Sequence, residues 1–284
     1  MCLDAATIAT WWTADPLALG VIGTSSALYA RGVRSLWSKN GVGHGIRRRE
    51  AASFAAGELL LFLALASPLD ALSDILFSAH MTQHEVLMVL APPLFVLGRP
   101  ITAAMWAIPR AWRSPLASLS SRSLVRTIWR FTSAPLAALL LHALVVWLWH
   151  APALFEATLR DEAVHAVQHA TFFGSAVLFW WSVLRGRYGR AGYGLACVYV
   201  FATAMHTSVL GVLLTLAGDL WYPSHAERTA SIEVDALSDQ RLAGLVMWVP
   251  MGTVLAMVAL ALFAAWLGES ERRARALARR VVPQ

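Results

Sequence analysis

The sequence predicts an all-α integral membrane protein: a single domain of seven transmembrane helices, N-terminus outside and C-terminus cytoplasmic. Three observations carry this. Of 284 residues, 58% are hydrophobic and only 14% charged, against about 25% charged in an ordinary soluble domain. Seven apolar runs approach the ~20 residues that a helix rising ~1.5 Å per residue needs to cross ~30 Å of hydrocarbon. The basic residues alternate between the connecting segments so as to orient every run.

The runs cover residues 16–36, 51–67, 75–97, 134–149, 163–184, 191–216 and 242–267. Trp11 and Trp12 precede the first as interfacial anchors, and the opening "MCLDAATIATWW" lacks the basic stretch of a cleavable signal. The second and fourth runs are short. The third contains Pro92 and Pro93, whose missing N–H donors predict a kink and the end of the span. The long connection 99–133 sets Trp106, Trp112 and Trp129 among arginines, a composition suited to the membrane interface. Residues 268–284 read as a basic cytoplasmic tail. Cys2 and Cys197 fall on opposite sides of this map, so no disulfide is expected between them.

With the N-terminus outside, 20 of the 23 Lys and Arg residues lie on the inner side: six in 31–49, six in 99–130, three in 185–190 and five in 272–280. Only Arg160, Arg228 and Arg241 lie outside. The positive-inside bias fixes the orientation. It also accounts for the pI near 10.0. The excess charge lines one membrane face, opposite anionic headgroups, so the implied partner is the lipid bilayer and not nucleic acid.

In this orientation eight of the nine histidines fall in the outer half or at the midplane, with only His44 cytoplasmic. His80 sits about 8 Å inside the third run and His84 about 6 Å deeper. His150 ends the fourth run, His165 and His169 open the fifth, and His206 lies near the middle of the sixth. The pairs His80/His84 and His165/His169 are spaced i,i+4 and share a helix face. Met81 and Met88 fall on the same stripe as His80. On the seventh run Gln240, Gly244, Met247 and Met251 share an arc, Gly244 permitting close approach of a neighbouring helix.

Ionisable residues inside a membrane are costly and point to function. Imidazoles with thioethers in a water-poor cavity suit a soft or borderline metal; methionine without cysteine tilts the choice toward Cu(I), with zinc the alternative. The candidate ligands are His80, His84, His150, His165, His169, His206, Met81, Met88 and Met247. Gln83, Glu85, Asp239 and Gln240 are candidate supporting residues that hydrogen-bond ligands. No catalytic residue is expected. His142 and Glu58 read more simply as packing residues.

The segments "SPLDALSDILFSAHMTQHEVLMVLAPPLFVLGRP", "HAPALFEATLRDEAVHAVQHATFFGSAVLFWW" and "DALSDQRLAGLVMWVPMG" resemble the signature blocks of the CtaG-type, seven-helix cytochrome c oxidase assembly factors, over about residues 16–267. The matching positions are His80, Met81, Gln83, His84, Pro93, His150, Pro152, His165, His169, Asp239, Gln240, Gly244, Met247 and Trp248. The resemblance implies a protein of the bacterial cytoplasmic membrane that helps mature the copper centre of a haem–copper oxidase, with the oxidase catalytic subunit as partner. Glu85 and His225 depart from the family pattern. Competing readings are a membrane zinc hydrolase using Glu85 or Asp239 as base, a haem-binding cytochrome, a copper permease, and a metal-free scaffold for the oxidase subunit. Spacing of i,i+4 suits one compact ion better than haem, and the inner half has too few polar residues for a pore.

Overall fold

The computed structural model describes residues 12, 15–185, 192–230 and 232–281. Cys2, Trp11, Arg187 and Arg190 therefore lie outside the described residues. Every described element is helical, and each of the seven apolar runs forms a helix or a continuous helical segment.

The first run becomes α1 (Pro16–Asn40), started by the Asp15 carboxylate accepting from the Leu17 N–H at 2.9 Å and ended at Gly41 with φ +86°. Helix α2 (Arg48–Leu65) follows, with Glu50 accepting from the Arg47 N–H. A short α3 (Pro68–Ser73), capped by Ser67, leads into α4 (Phe77–Glu85). The chain then runs through one π-helical turn, Val86–Leu90, into α5 (Ala91–Leu97).

Here the proline expectation needs correcting: Pro92 and Pro93 neither stop the span nor break it. Pro92 removes the N–H that would have reached the Met88 carbonyl. The wide turn Val86–Leu90 absorbs the mismatch, and the Met88 carbonyl instead accepts from Trp180 Nε1 at 3.0 Å. The span ends at Gly98, whose carbonyl accepts from the Tyr29 hydroxyl at 2.7 Å.

Residues 99–133 form α6 (Pro100–Ala107), α7 (Arg110–Ser121) and α8 (Ser123–Thr132). Helix α8 buries none of its residues and exposes Leu124, Ile128 and Phe131. Then come α9 (Pro135–Trp149), α10 (Pro152–Arg160), α11 (Glu162–Arg185), α12 (Gly192–Thr215), α13 (Ser224–Ala230) and α14 (Ala236–Val281). Helix α14 continues from the apolar run into the basic segment as far as Val281. Good helix formers and the i,i+4 pairs Glu269–Arg273 and Glu271–Arg275 extend it.

By length and apolarity, two helical stretches among the described residues can cross a bilayer, Gly192–Thr215 and Ala236–Ala276. Two bent pairs bring the number to as many as four: Phe77–Leu97 with Pro100–Ala107 (58°) and Ser123–Thr132 with Pro135–Trp149 (69°). By length and composition these stretches suit a helical membrane protein.

Two hydrophobic clusters organise the bundle. One joins α1, α2, α5 and α6 around Tyr29, Phe54, Phe95 and Ala103. The other joins α4, α9, α10, α11, α12 and α14 around Phe77, Phe155, Phe172, Phe179 and Met251. The segment 77–97 contributes to both, Leu87, Ala91 and Phe95 to the first and Met81, Met88 and Val96 to the second. Helices α12 and α14 meet at paired glycines, as the sequence predicts for Gly244. A Cβ on Gly244 would lie 2.5 Å from Thr215 Oγ1 and 2.6 Å from the Gly211 carbonyl.

Gly244→Ala is therefore expected to lower stability by about 1–3 kcal/mol through overpacking. Gly20→Ala, with nothing within 4 Å of its added Cβ, should leave stability unchanged or raise it by up to about 1 kcal/mol. Unfolding midpoints of the two variants in one detergent check both expectations.

Candidate metal centre

The site begins with the placement of α4. The N-terminal N–H groups of a helix have no partner within it, and Leu76, which precedes α4, offers no side-chain cap. Asp239, on the first turn of α14, supplies it from 162 residues away in sequence. Its carboxylate accepts from the Phe77 N–H at 2.6 Å, the Ser78 N–H at 3.3 Å and the Ser78 hydroxyl at 2.5 Å. Asp239 is buried, so the charge is held by these donors and by the helix dipole.

One turn further along α4, His80 and His84 present their rings on one face, 4.2 Å apart between centroids. On α11, His165 and His169 repeat the pattern at 4.2 Å. The two pairs face each other: His80 lies 5.3 Å from His165 and 6.1 Å from His169, and His84 lies 5.3 Å from His169. His150, where α9 ends, closes the group 6.4 Å from His84. His80, His165 and His169 each offer a ring nitrogen within 4.8 Å of the other two.

His80, His84 and His150 are 1–2% exposed, yet the Nε2 atoms of all five histidines are buried without a hydrogen-bond partner. One such atom costs about 1–3 kcal/mol. Five such atoms within one cluster of rings, three of which offer nitrogens within 4.8 Å of one another, describe a site for an electron-pair acceptor. The tautomer of His150 agrees with this. Its Nδ1 lies 2.7 Å from the Val146 carbonyl, which only accepts, so Nδ1 carries the proton and Nε2 presents its lone pair. The Tyr222 hydroxyl donates to the His150 carbonyl at 2.8 Å and holds that turn in place. An all-imidazole set suits zinc, copper, iron or nickel.

A cavity of about 500 Å³ opens onto the group, with His80 and His165 in its wall and Asp74, Arg160, Asp161 and Glu162 exposed around it. Arg228 crosses its mouth, donating to the Asp74 carbonyl at 2.8 Å and the Leu159 carbonyl at 2.6 Å.

The structure separates the remaining candidates. His206 makes no ring contact with the five histidines among the described residues. Met81, Met88 and Met247 are buried in the apolar cluster beside the site, and Met205 is 50% exposed on the outer surface of the bundle. Asp239 is the cap described above, with both oxygens engaged. Gln83 donates to the Ala64 carbonyl at 2.8 Å and to Asp70 at 2.7 Å, bracing α4 against α2 and α3. Gln240 accepts from the Trp221 N–H and donates to the Asp219 carbonyl, holding the turn before α13. Glu85 hydrogen-bonds to no imidazole among the described residues, and its Oε1 is buried without a partner. His142 sits 3.1 Å from Ser175 Oγ, and Glu58 accepts from Ser25 and Ser26, in keeping with packing roles.

Sequence reasoning missed Gln168, fully buried between His165 and His169 with both amide atoms unpartnered; its i+3 spacing from His165 was the available signal. It also missed Tyr222 and the bracing role of Arg228, which depend on distant contacts. His225 packs its ring on Phe77 and Phe155. Burial, reinforced by the Arg228 charge, pushes its pKa down to about 4, so it is neutral at pH 7.

Asp239→Ala should cost about 1–2 kcal/mol, the range for a lost helix cap, and Asp239→Asn less. Unfolding midpoints in detergent measure both; equal stability of the alanine variant would show that α4 does not depend on this carboxylate.

A sequence model of the cytochrome c oxidase caa3 assembly factors matches residues 27–269. The chain is similar to uncharacterized proteins of Mycobacterium bovis and Mycobacterium tuberculosis. Each is 25% identical over 289 residues, covering 94% of this chain and 41% of the relative. An uncharacterized protein of Mycobacterium leprae is 23% identical, covering 78% of this chain and 34% of the relative. The chain thus spans less than half the length of these relatives. No solved structure matches. The match over residues 27–269 shows that the chain belongs to the cytochrome c oxidase caa3 assembly factor family.

Proposed function

We propose that the protein binds Cu(I) in the five-histidine cavity and donates it to the catalytic subunit of a haem–copper oxidase during assembly, acting without catalysing a reaction of its own. The observation that carries this reading is a cluster of five histidines whose buried Nε2 atoms have no hydrogen-bond partner, three of them offering ring nitrogens within 4.8 Å of one another. His80, His165 and His169 form the primary ligand set, and His84 and His150 extend it by one turn. Imidazole is neutral, so Cu(I) can pass from one ring to the next by ligand exchange without a charge being stranded in the bundle. Met81, Met88 and Met247 belong to the apolar cluster that backs the site.

In the membrane the seven apolar runs are seven spans, with the N-terminus outside and the histidine cavity toward the outer half of the bacterial cytoplasmic membrane. The distribution of arginines supports this orientation. So do α7 and α8, whose exposed Trp112, Leu124, Ile128 and Phe131 stand among Arg110, Arg122, Arg126 and Arg130, as in a helix lying in an interface.

A zinc hydrolase is the second reading, favoured by a histidine trio, the ligand count of a catalytic zinc site, of which His80 and His165 line an open cavity. Of its two candidate bases, Asp239 is committed to capping α4, which leaves Glu85, whose Oε1 is buried without a partner.

Detergent-purified protein loaded anaerobically with Cu(I) should retain about one equivalent, and His80→Ala/His84→Ala should lose it while keeping the wild-type unfolding midpoint in the absence of metal. Retention of zinc in preference to Cu(I) would favour the hydrolase, and no retained metal would favour a scaffold. In cells, the same double variant should lower the copper content of the assembled oxidase; unchanged oxidase copper would overturn the donor role.

A further inference from the structure

The cavity beside the histidines is much larger than an ion requires. It measures about 500 Å³, while a water molecule in the liquid occupies about 30 Å³. Its wall joins three segments that are remote in sequence: the start of α4, the α10–α11 junction and α13. The rim is charged and exposed, and the floor is His80 and His165. His80 is 1% exposed and its Nε2 has no partner. The cavity thus leads from solvent to two residues of the histidine cluster.

The rim charges are unequal in what they are free to do. Arg228 spends its donors on the Asp74 and Leu159 carbonyls, and Arg160 is drawn to Glu156 at 3.2 Å. Asp161 accepts from the Ala163 and Val164 N–H groups as the cap of α11. Asp74, 69% exposed, reaches Arg228 only at 4.0 Å, and Glu162 stands exposed beside it on the rim. Carboxylate oxygens hold a soft cation weakly compared with imidazole. Their contribution at this distance from the cluster is attraction followed by release.

We propose that this cavity is the loading port of the site: aquated metal cations are drawn in by Asp74 and Glu162 and handed to His165 and His80. The inference rests on the metal-binding reading above and adds to it a route and a charge dependence. Clefts lined by one sign of charge raise association rates by about 10–1,000-fold at low salt; with Arg160 and Arg228 sharing this rim, the effect here belongs at the lower end of that range. That effect fades as the screening length falls from about 30 Å at 0.01 M to about 3 Å at 1 M. Capture rate, and not final occupancy, is what these carboxylates control.

The test mixes the full chain in detergent with Ag(I), a redox-inert stand-in for Cu(I), or with Zn(II), and quenches with chelator at short times. Asp74→Asn/Glu162→Gln should slow loading about tenfold at low salt and be indistinguishable from wild type at 1 M salt, with equal final stoichiometry. Arg160→Gln should load faster than wild type, a change of opposite sign that a damaged fold would not produce. Equal low-salt rates for all three proteins, with wild type loading normally, would overturn the port while leaving the metal site intact. Failure of wild type itself to load either ion would overturn both.

Discussion

Asp239 fixes where the histidines are. Helix α4 starts inside the protein, where its first N–H groups have no water to bond, and the residue before it offers no cap. A carboxylate from the opposite end of the chain fills that need with three hydrogen bonds. The consequence is geometric as well as energetic. Capping sets the axial position of α4 relative to α14, and His80 follows the capped end by only one turn, so little freedom accumulates between the anchor and the ligand.

The same segment is held at its far end. The Met88 carbonyl, orphaned by Pro92, takes a donor from Trp180 on α11. Past Pro93, Ser53 on α2 donates to the Leu94 carbonyl at 3.0 Å, Arg185 on α11 to the Val96 carbonyl at 3.1 Å, and Tyr29 on α1 to Gly98. Donors from three neighbouring helices, α1, α2 and α11, reach the backbone carbonyls of this segment. The segment 77–97 thus acts as the shared wall between two hydrophobic clusters, and the helix carrying His165 and His169 is among those that hold it. Rigid placement of ligands on helices braced by further hydrogen bonds is what a metal site requires.

Much of this was legible in the sequence because it follows from periodicity. The i,i+4 spacing put His80 with His84 and His165 with His169 on single faces, and the seven apolar runs all proved helical. Gly244 was readable because only the absence of a side chain permits so close a helix crossing. What failed to show was whatever depends on a partner far away in sequence. Asp239 resembled a candidate for the site's own hydrogen bonds and is instead the cap of another helix. Gln83 and Gln240 likewise serve the backbone of neighbouring segments. The methionine stripes have the right period for ligands, but the same period builds a core, and Met81, Met88 and Met247 are in the core. Pro92 and Pro93 were misread because a π-helical turn and an indole donor from another helix can absorb their missing N–H groups.

The claim that imidazoles and not thioethers hold the ion is tested most directly by copper K-edge X-ray absorption on the Cu(I)-loaded protein in detergent. The expected spectrum has a first shell of nitrogen with the outer-shell scattering characteristic of imidazole rings, and this scattering falls when His80 and His84 are replaced. A first shell dominated by sulfur, unchanged by those replacements, would contradict it.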